Sequence, residues 1–125
     1  IDDTYDPVYS YLLDHSIRAH PVETALRQHT SKMPEAKMMS PPEVTQFIAL
    51  LLRLIQANKV IEVGVYTGVT TLSMAQAMDK DGYILACDSN VEWTKIARRY
   101  WEEANQTQEG ALQICCGLTR RVLCG

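Results

Sequence analysis

The chain has no long apolar run, no block of one charge and no cysteine pair at metal-binding spacing. Its longest apolar stretch, FIALLL at 47–52, is too short to cross a bilayer, and no basic segment followed by an apolar core precedes it. These absences lead to the expectation of a soluble intracellular protein, placed in the cytoplasm, with no membrane partner. Twelve Lys plus Arg stand against fifteen Asp plus Glu, a formal charge of -3, and neither sign gathers into a stretch that would track a phosphate backbone. A nucleic acid partner is not expected. None of Cys87, Cys115, Cys116 and Cys124 forms a C-x-x-C pair, which removes the usual zinc or redox motif. Cys87 reads instead as a small buried residue near a strand end. At 125 residues, with 46% hydrophobic and 22% charged, one globular domain is expected.

What is present is an alternation of helical and extended patterns. DPVYSYLLDHSI offers Asp6 as an N-cap with Pro7 at the first helical position, and HPVETALRQH repeats the arrangement at Pro21. In SPPEVTQFIALLLRLIQA, Ser40 and Glu43 have capping-box spacing. Val44, Phe47, Ile48, Leu51, Leu52 and Ile55 follow at helical intervals, a face that must pack on something. A strand over 59–65, a helix over 69–78, a turn at DKDG and a strand YILACD over 83–88 come next. Ser89 and Glu92 then mark a capping box for a helix that lines up Trp93, Ile96, Ala97, Tyr100, Trp101 and Ala104. ALQICCG has the alternation of a short further strand.

Strand, helix, strand implies parallel pairing, with the carboxyl ends of the strands forming a ligand crevice. The stretch KVIEVGVYTGVTTL lies there. Gly64 and Gly68 permit a sharp turn and close approach of a ligand, although glycines serve any strand-to-helix turn. Asp88 ends the second strand, where an acid in two-strand nucleotide sites reaches the hydroxyls of an adenosine ribose; a helix cap is the plainer role. The loop lacks the middle glycine of G-x-G-x-x-G and has Tyr66 in its place, so a pyrophosphate fits poorly and a nicotinamide dinucleotide is disfavoured. Glu62 would repel a pyrophosphate but attract a ligand carrying an ammonium and a sulfonium, which S-adenosylmethionine does; the alternative is a strand-end glutamate facing solvent.

Residues 38–104, from MMSPPEVTQF through IEVGVYTGVTTL and ACDSN to YWEEA, resemble the first half of the cation-dependent O-methyltransferases of the catechol and caffeoyl-CoA type. The resemblance implies a class I methyltransferase fold, an α/β Rossmann-like parallel sheet preceded by helices. Residues 1–36 would be an N-terminal helical segment and 37–125 a partial cofactor domain. It implies S-adenosylmethionine as cofactor, a divalent cation such as magnesium, a catechol-like small-molecule substrate and a homodimer in which the N-terminal helices take part. In the implied reaction a substrate oxygen attacks the sulfonium methyl in line and the thioether leaves. By the same resemblance Met38 and Ser40 belong to the cofactor-contacting segment ahead of the long helix. Glu62, Gly64, Val65, Tyr66, Gly68 and Thr70 form the glycine loop, Asp88 holds the ribose, and Ser89 lies beside the adenine.

After Asn105 the resemblance stops. The acidic motifs that hold the cation in the family have no counterpart in QTQEGALQICCGLTRRVLCG, so no metal ligand and no catalytic residue is assigned. His15, His20 and His29 are expected in packing or surface roles. The alternative function is a truncated, non-catalytic module that binds the cofactor or a partner. With few strands to cover, an open sheet edge is a second drive toward self-association.

Overall fold

The computed structural model describes residues 6–107 and 114–116. Its elements, in order, are α1 (Pro7–Ser16), α2 (Pro21–Thr30), a 3-10 turn (Ala36–Met38), α3 (Pro42–Leu54), β1 (Lys59–Val63), α4 (Val69–Ala77), β2 (Tyr83–Asp88), α5 (Val91–Thr107) and β3 (Ile114–Cys116). Readings that fell on Cys124 and the rest of the tail lie outside the described residues. The short strand expected in ALQICCG is present as β3.

The three strands lie in the order β1-β2-β3, all parallel, with Lys59 opposite Tyr83, Val63 opposite Cys87 and Asp88 opposite Cys116. Each parallel step needs a crossover, which α4 and α5 provide. β1 ends two residues before the expected boundary, because Gly64 takes φ +91° and turns the chain out of the strand. Its amide still donates to Cys87 O at 2.9 Å, so the turn begins fastened to β2.

Two of the expected caps are displaced. Asp6 caps α1, its carboxylate accepting from Val8 N at 2.9 Å. For α5, however, Asn90 rather than Ser89 is the cap, its Oδ1 accepting from the amides of Glu92 and Trp93. At α3 the N-cap is Pro41, and no side chain caps the helix. The Glu43 carboxylate accepts from Tyr9 Oη on α1 at 3.0 and 3.1 Å instead of folding back, and Ser40 Oγ is engaged elsewhere.

The core joins Val22 and Leu26 of α2, Val65 of the loop, Val69 and Leu72 of α4, Ile84 and Ala86 of β2, and Ala97 and Trp101 of α5. Paired residues of parallel strands share a face, so Val60, Glu62, Ile84 and Ala86 look into this core. The opposite face keeps Ile61 and Val63 exposed, at 72% and 79%. The α3 face read as apolar is not packed as expected. Phe47, Leu51 and Ile55 are exposed, and the helix instead seats Thr45 and Ala49, with Ile48 and Leu52 half-buried.

Candidate cofactor site

The turn after β1 is built from left-handed backbone. Gly64 and Gly68 have φ +91° and +80°, and between them Tyr66 has φ +54°, a conformation that costs a non-glycine residue about 1 to 3 kcal/mol unless its surroundings enforce it. They do so in two ways. The Tyr66 ring is buried edge-to-face against Trp93 of α5, centroids 4.9 Å apart. Its amide and that of Val65 both donate to Asp88 Oδ2 at 2.8 Å.

Asp88 therefore does more than end β2. Its other oxygen accepts from Asn90 N at 2.9 Å, so one carboxylate ties the glycine loop to the entry of α5. Burial alone would raise its pKa, but the main-chain donors of Asn90, Tyr66, Val65 and Ser89 outweigh it and hold the carboxyl below its ordinary value. An ionised carboxylate offers about four acceptor positions, so little capacity remains for a further hydroxyl.

Gly68 serves packing. A Cβ there would come within 2.8 Å of Ala97 Cβ and closer still to the Trp101 indole, whose Nε1 donates to Gly68 O at 3.0 Å. Gly64 is the reverse: the space where its Cβ would stand is open. One glycine admits α5 and the other leaves room for a ligand.

Glu62 does not face solvent. It lies on the core side of β1, half-buried, and its Oε2 accepts a hydrogen bond from Thr71 Oγ1 on α4. Burial pushes its carboxyl up to about 7; the Thr71 hydroxyl acts against this and the nearby Asp88 charge adds to it.

The segment ahead of α3 is brought to the loop by a cation that the sequence reading missed. Arg27 of α2 donates from Nη1 to Ser40 O and from Nη2 to Thr45 Oγ1, both at 2.7 Å, while pairing with Glu23 at 2.9 Å. Thr70 Oγ1 then donates to Ser40 Oγ at 3.1 Å, and the buried hydroxyls of Thr30 and Thr67 meet at 2.8 Å. The i,i+4 spacing of Glu23 and Arg27 was a visible signal; nothing local marked Thr30 or Thr67.

Together these contacts close a cavity of about 50 Å³ lined by Met38, Met39, Ser40, Gly64, Val65, Tyr66, Thr67, Val69 and Thr70. Six of the ten expected site residues are brought together there: Met38, Ser40, Gly64, Val65, Tyr66 and Thr70. Glu62, Gly68 and Asp88 stand behind the loop, and Ser89 is exposed beside it. A larger cleft of about 530 Å³ opens between α1, α3 and α4, away from the strand ends where open α/β sheets bind ligands. Among the described residues, no three His, Cys, Asp or Glu side chains group as metal ligands, so the described residues do not by themselves form a divalent-cation site. The histidines stand apart: His15 stacks on Tyr11, His20 caps α2 and His29 bonds Tyr100 Oη at 3.0 Å.

A parallel sheet with a glycine turn after β1 and an acid at the end of β2 is Rossmann-like in its connections, and the solved structures that share its architecture make this the class I methyltransferase fold. A putative O-methyltransferase from Klebsiella pneumoniae superposes with TM-score 0.76 at 27% identity, over 90% of this chain and 50% of that one. An O-methyltransferase from Bacillus cereus in complex with SAH gives 0.76 at 22% identity, over 92% and 51%. The family model described as O-methyltransferase matches residues 13–123, and the chain belongs to that family. It is 34% identical to catechol O-methyltransferase domain-containing protein 1 of Mus musculus over 87% of this chain and 42% of that protein. It is 42% identical to caffeoyl-CoA O-methyltransferase of Medicago sativa over 70% and 36%. The chain thus spans less than half the length of these curated relatives. No helix among the described residues is long and apolar enough to cross a membrane.

Proposed function

We propose that this chain forms the cofactor-binding half of an S-adenosylmethionine-dependent O-methyltransferase whose whole protein methylates one hydroxyl of a catechol-like small molecule. The observation that carries the reading is the convergence of Met38–Ser40, the Gly64 turn and Thr70 on one cavity at the carboxyl end of β1, beside Asp88. The open space at Gly64 is where the ligand backbone would approach, and Thr70 and Ser40 offer hydroxyls to its amino-acid end. Asp88 would stand beside the ribose, with Ser89 toward the adenine. When bound, the cofactor supplies a sulfonium methyl; the loop and the 38–40 segment hold and orient it.

The cavity is well below the about 300 Å³ of an ordinary ligand pocket, so the visible site encloses only part of such a ligand. That observation also supports the second reading, a module without catalytic activity. We place the protein in the cytoplasm and expect it to form homodimers, a reading supported by the exposed apolar residues of α1 and α3. Calorimetry with S-adenosylmethionine, S-adenosylhomocysteine and NAD tests the cofactor: tighter binding of NAD rejects the reading, and no binding of any favours the module. The isolated chain, with magnesium and a catechol, is expected to give no turnover above a no-protein control.

A further inference from the structure

The consecutive amides of Val65 and Tyr66 converge on one point, and the chain bends around them through left-handed residues. Successive main-chain N–H groups arranged in this way form an anion-binding nest, and in dinucleotide-binding βαβ units the corresponding turn and helix N-terminus receive a pyrophosphate. Here the nest already holds an anion. It is the carboxylate of Asp88, buried and fixed from its other oxygen by Asn90 N.

We propose that Asp88 is a specificity-determining positioning residue: its carboxylate fills the anion nest of the glycine loop, so the loop excludes phosphate and the site is left to a ligand of positive charge. The preference for a sulfonium cofactor rests on the function proposed above; the filling of the nest does not. Tyr66 shares in the device. Its left-handed backbone aims the second amide at Asp88, and its ring, wedged against Trp93, keeps the loop from opening toward a larger anion. An acid serving only to shape the turn into α5, whose cap is Asn90, would need the Asn90 amide alone. The two bonds reaching across from β2 to the loop are the part such a role leaves unexplained.

The test is a titration of inorganic pyrophosphate into the isotope-labelled 125-residue chain, following the backbone amide resonances of Val65 and Tyr66. It is run near pH 6, where Glu62, with its carboxyl pushed up to about 7, is mostly neutral and does not itself repel the anion. In the wild type these two resonances should stay in place. In Asp88→Ala they should shift, with pyrophosphate affinity raised about tenfold or more, the scale of losing a charged hydrogen-bond partner from the nest. Asp88→Asn, which keeps the side-chain shape, should move the same way by a smaller factor and serves where the alanine variant fails to fold. The proposal is overturned if pyrophosphate moves the wild-type amides as it moves those of a variant, or if both variants fold and neither gains affinity. S-adenosylhomocysteine, titrated into the same samples, separates the two ideas. Failure of the wild type to bind it favours the module reading of the chain, while the pyrophosphate arm still decides the nest.

Discussion

Helices α3 and α5 carry apolar residues at the same helical intervals, and the fold treats them in opposite ways. On α5, Ala97, Tyr100, Trp101 and Ala104 are buried, Trp101 almost completely, with the helix packed on the glycine turn and α2. On α3, Phe47, Leu50, Leu51 and Leu54 remain exposed, as does its C-cap Ile55, and the buried line is the narrow one through Thr45 and Ala49. Periodicity reports that a helix has an apolar side; which side finds a partner depends on what the rest of the chain places beside it. The α5 side meets a surface prepared for it, since Gly68 lacks a Cβ where the indole sits.

The largest expected effect lies on the packed side. Trp101→Ala should destabilise the chain by about 3 to 5 kcal/mol, through the lost ring and the cavity it leaves, as measured by urea denaturation. Phe47→Ala on α3 is the matched control and should change stability by no more than about 0.5 kcal/mol. Equal losses at the two positions would erase the distinction between the helices.

Next in size is Glu62, a charge cost inside the packed region. Because its folded-state pKa is raised, the native chain keeps the proton while the unfolded chain releases it, so stability falls as pH rises from about 4.5 to about 7. Glu62→Gln removes that dependence and still accepts from Thr71. The variant should match the wild type near pH 4 and exceed it by about 3 kcal/mol at pH 8, at about 1.4 kcal/mol per unit of pKa shift. Parallel stability curves across that range would show that Glu62 is solvated after all.

A smaller effect marks where α5 begins. Asn90→Ala should cost about 0.5 to 2 kcal/mol, and Ser89→Ala close to nothing, because the side chain of Asn90 accepts from the first-turn amides. The reverse ranking in thermal unfolding would restore the capping box read from the sequence.

The smallest effect on stability should be the clearest on association. Phe47→Ser with Leu54→Gln should leave the unfolding midpoint almost unchanged, as expected of exposed positions, while lowering the mass measured by light scattering. An unchanged oligomer would locate the contact elsewhere, with the exposed Ile61 and Val63 face of β1 the next to alter.

Much of this was legible in the chain. The βαβ order, the limits of β2 and the proline-started helices follow from local patterns that need no partner. Gly64, Tyr66 and Asp88 could be picked out because a turn at a strand end restricts residue type. The positions of the caps could not. Ser40 and Ser89 satisfy the capping pattern, yet Thr70 takes the hydroxyl of one, and the bend after β2 passes the cap to Asn90 for the other. The role of Arg27 also escaped notice, since its partners Ser40 and Thr45 lie 13 and 18 residues away.

The sequence by itself determined the alternation of elements, the glycine turn and the presence of an acid at the end of β2, because backbone geometry and side-chain periodicity act over a few residues. Only the tertiary structure decided that this acid binds the loop amides, that Gly68 makes room for an indole while Gly64 opens to a cavity, and that part of the apolar side of α3, through Phe47 and Leu51, stays uncovered. Each of these depends on which distant groups arrive at the same place, and burial and hydrogen bonding act on that proximity in space, whatever the separation along the chain.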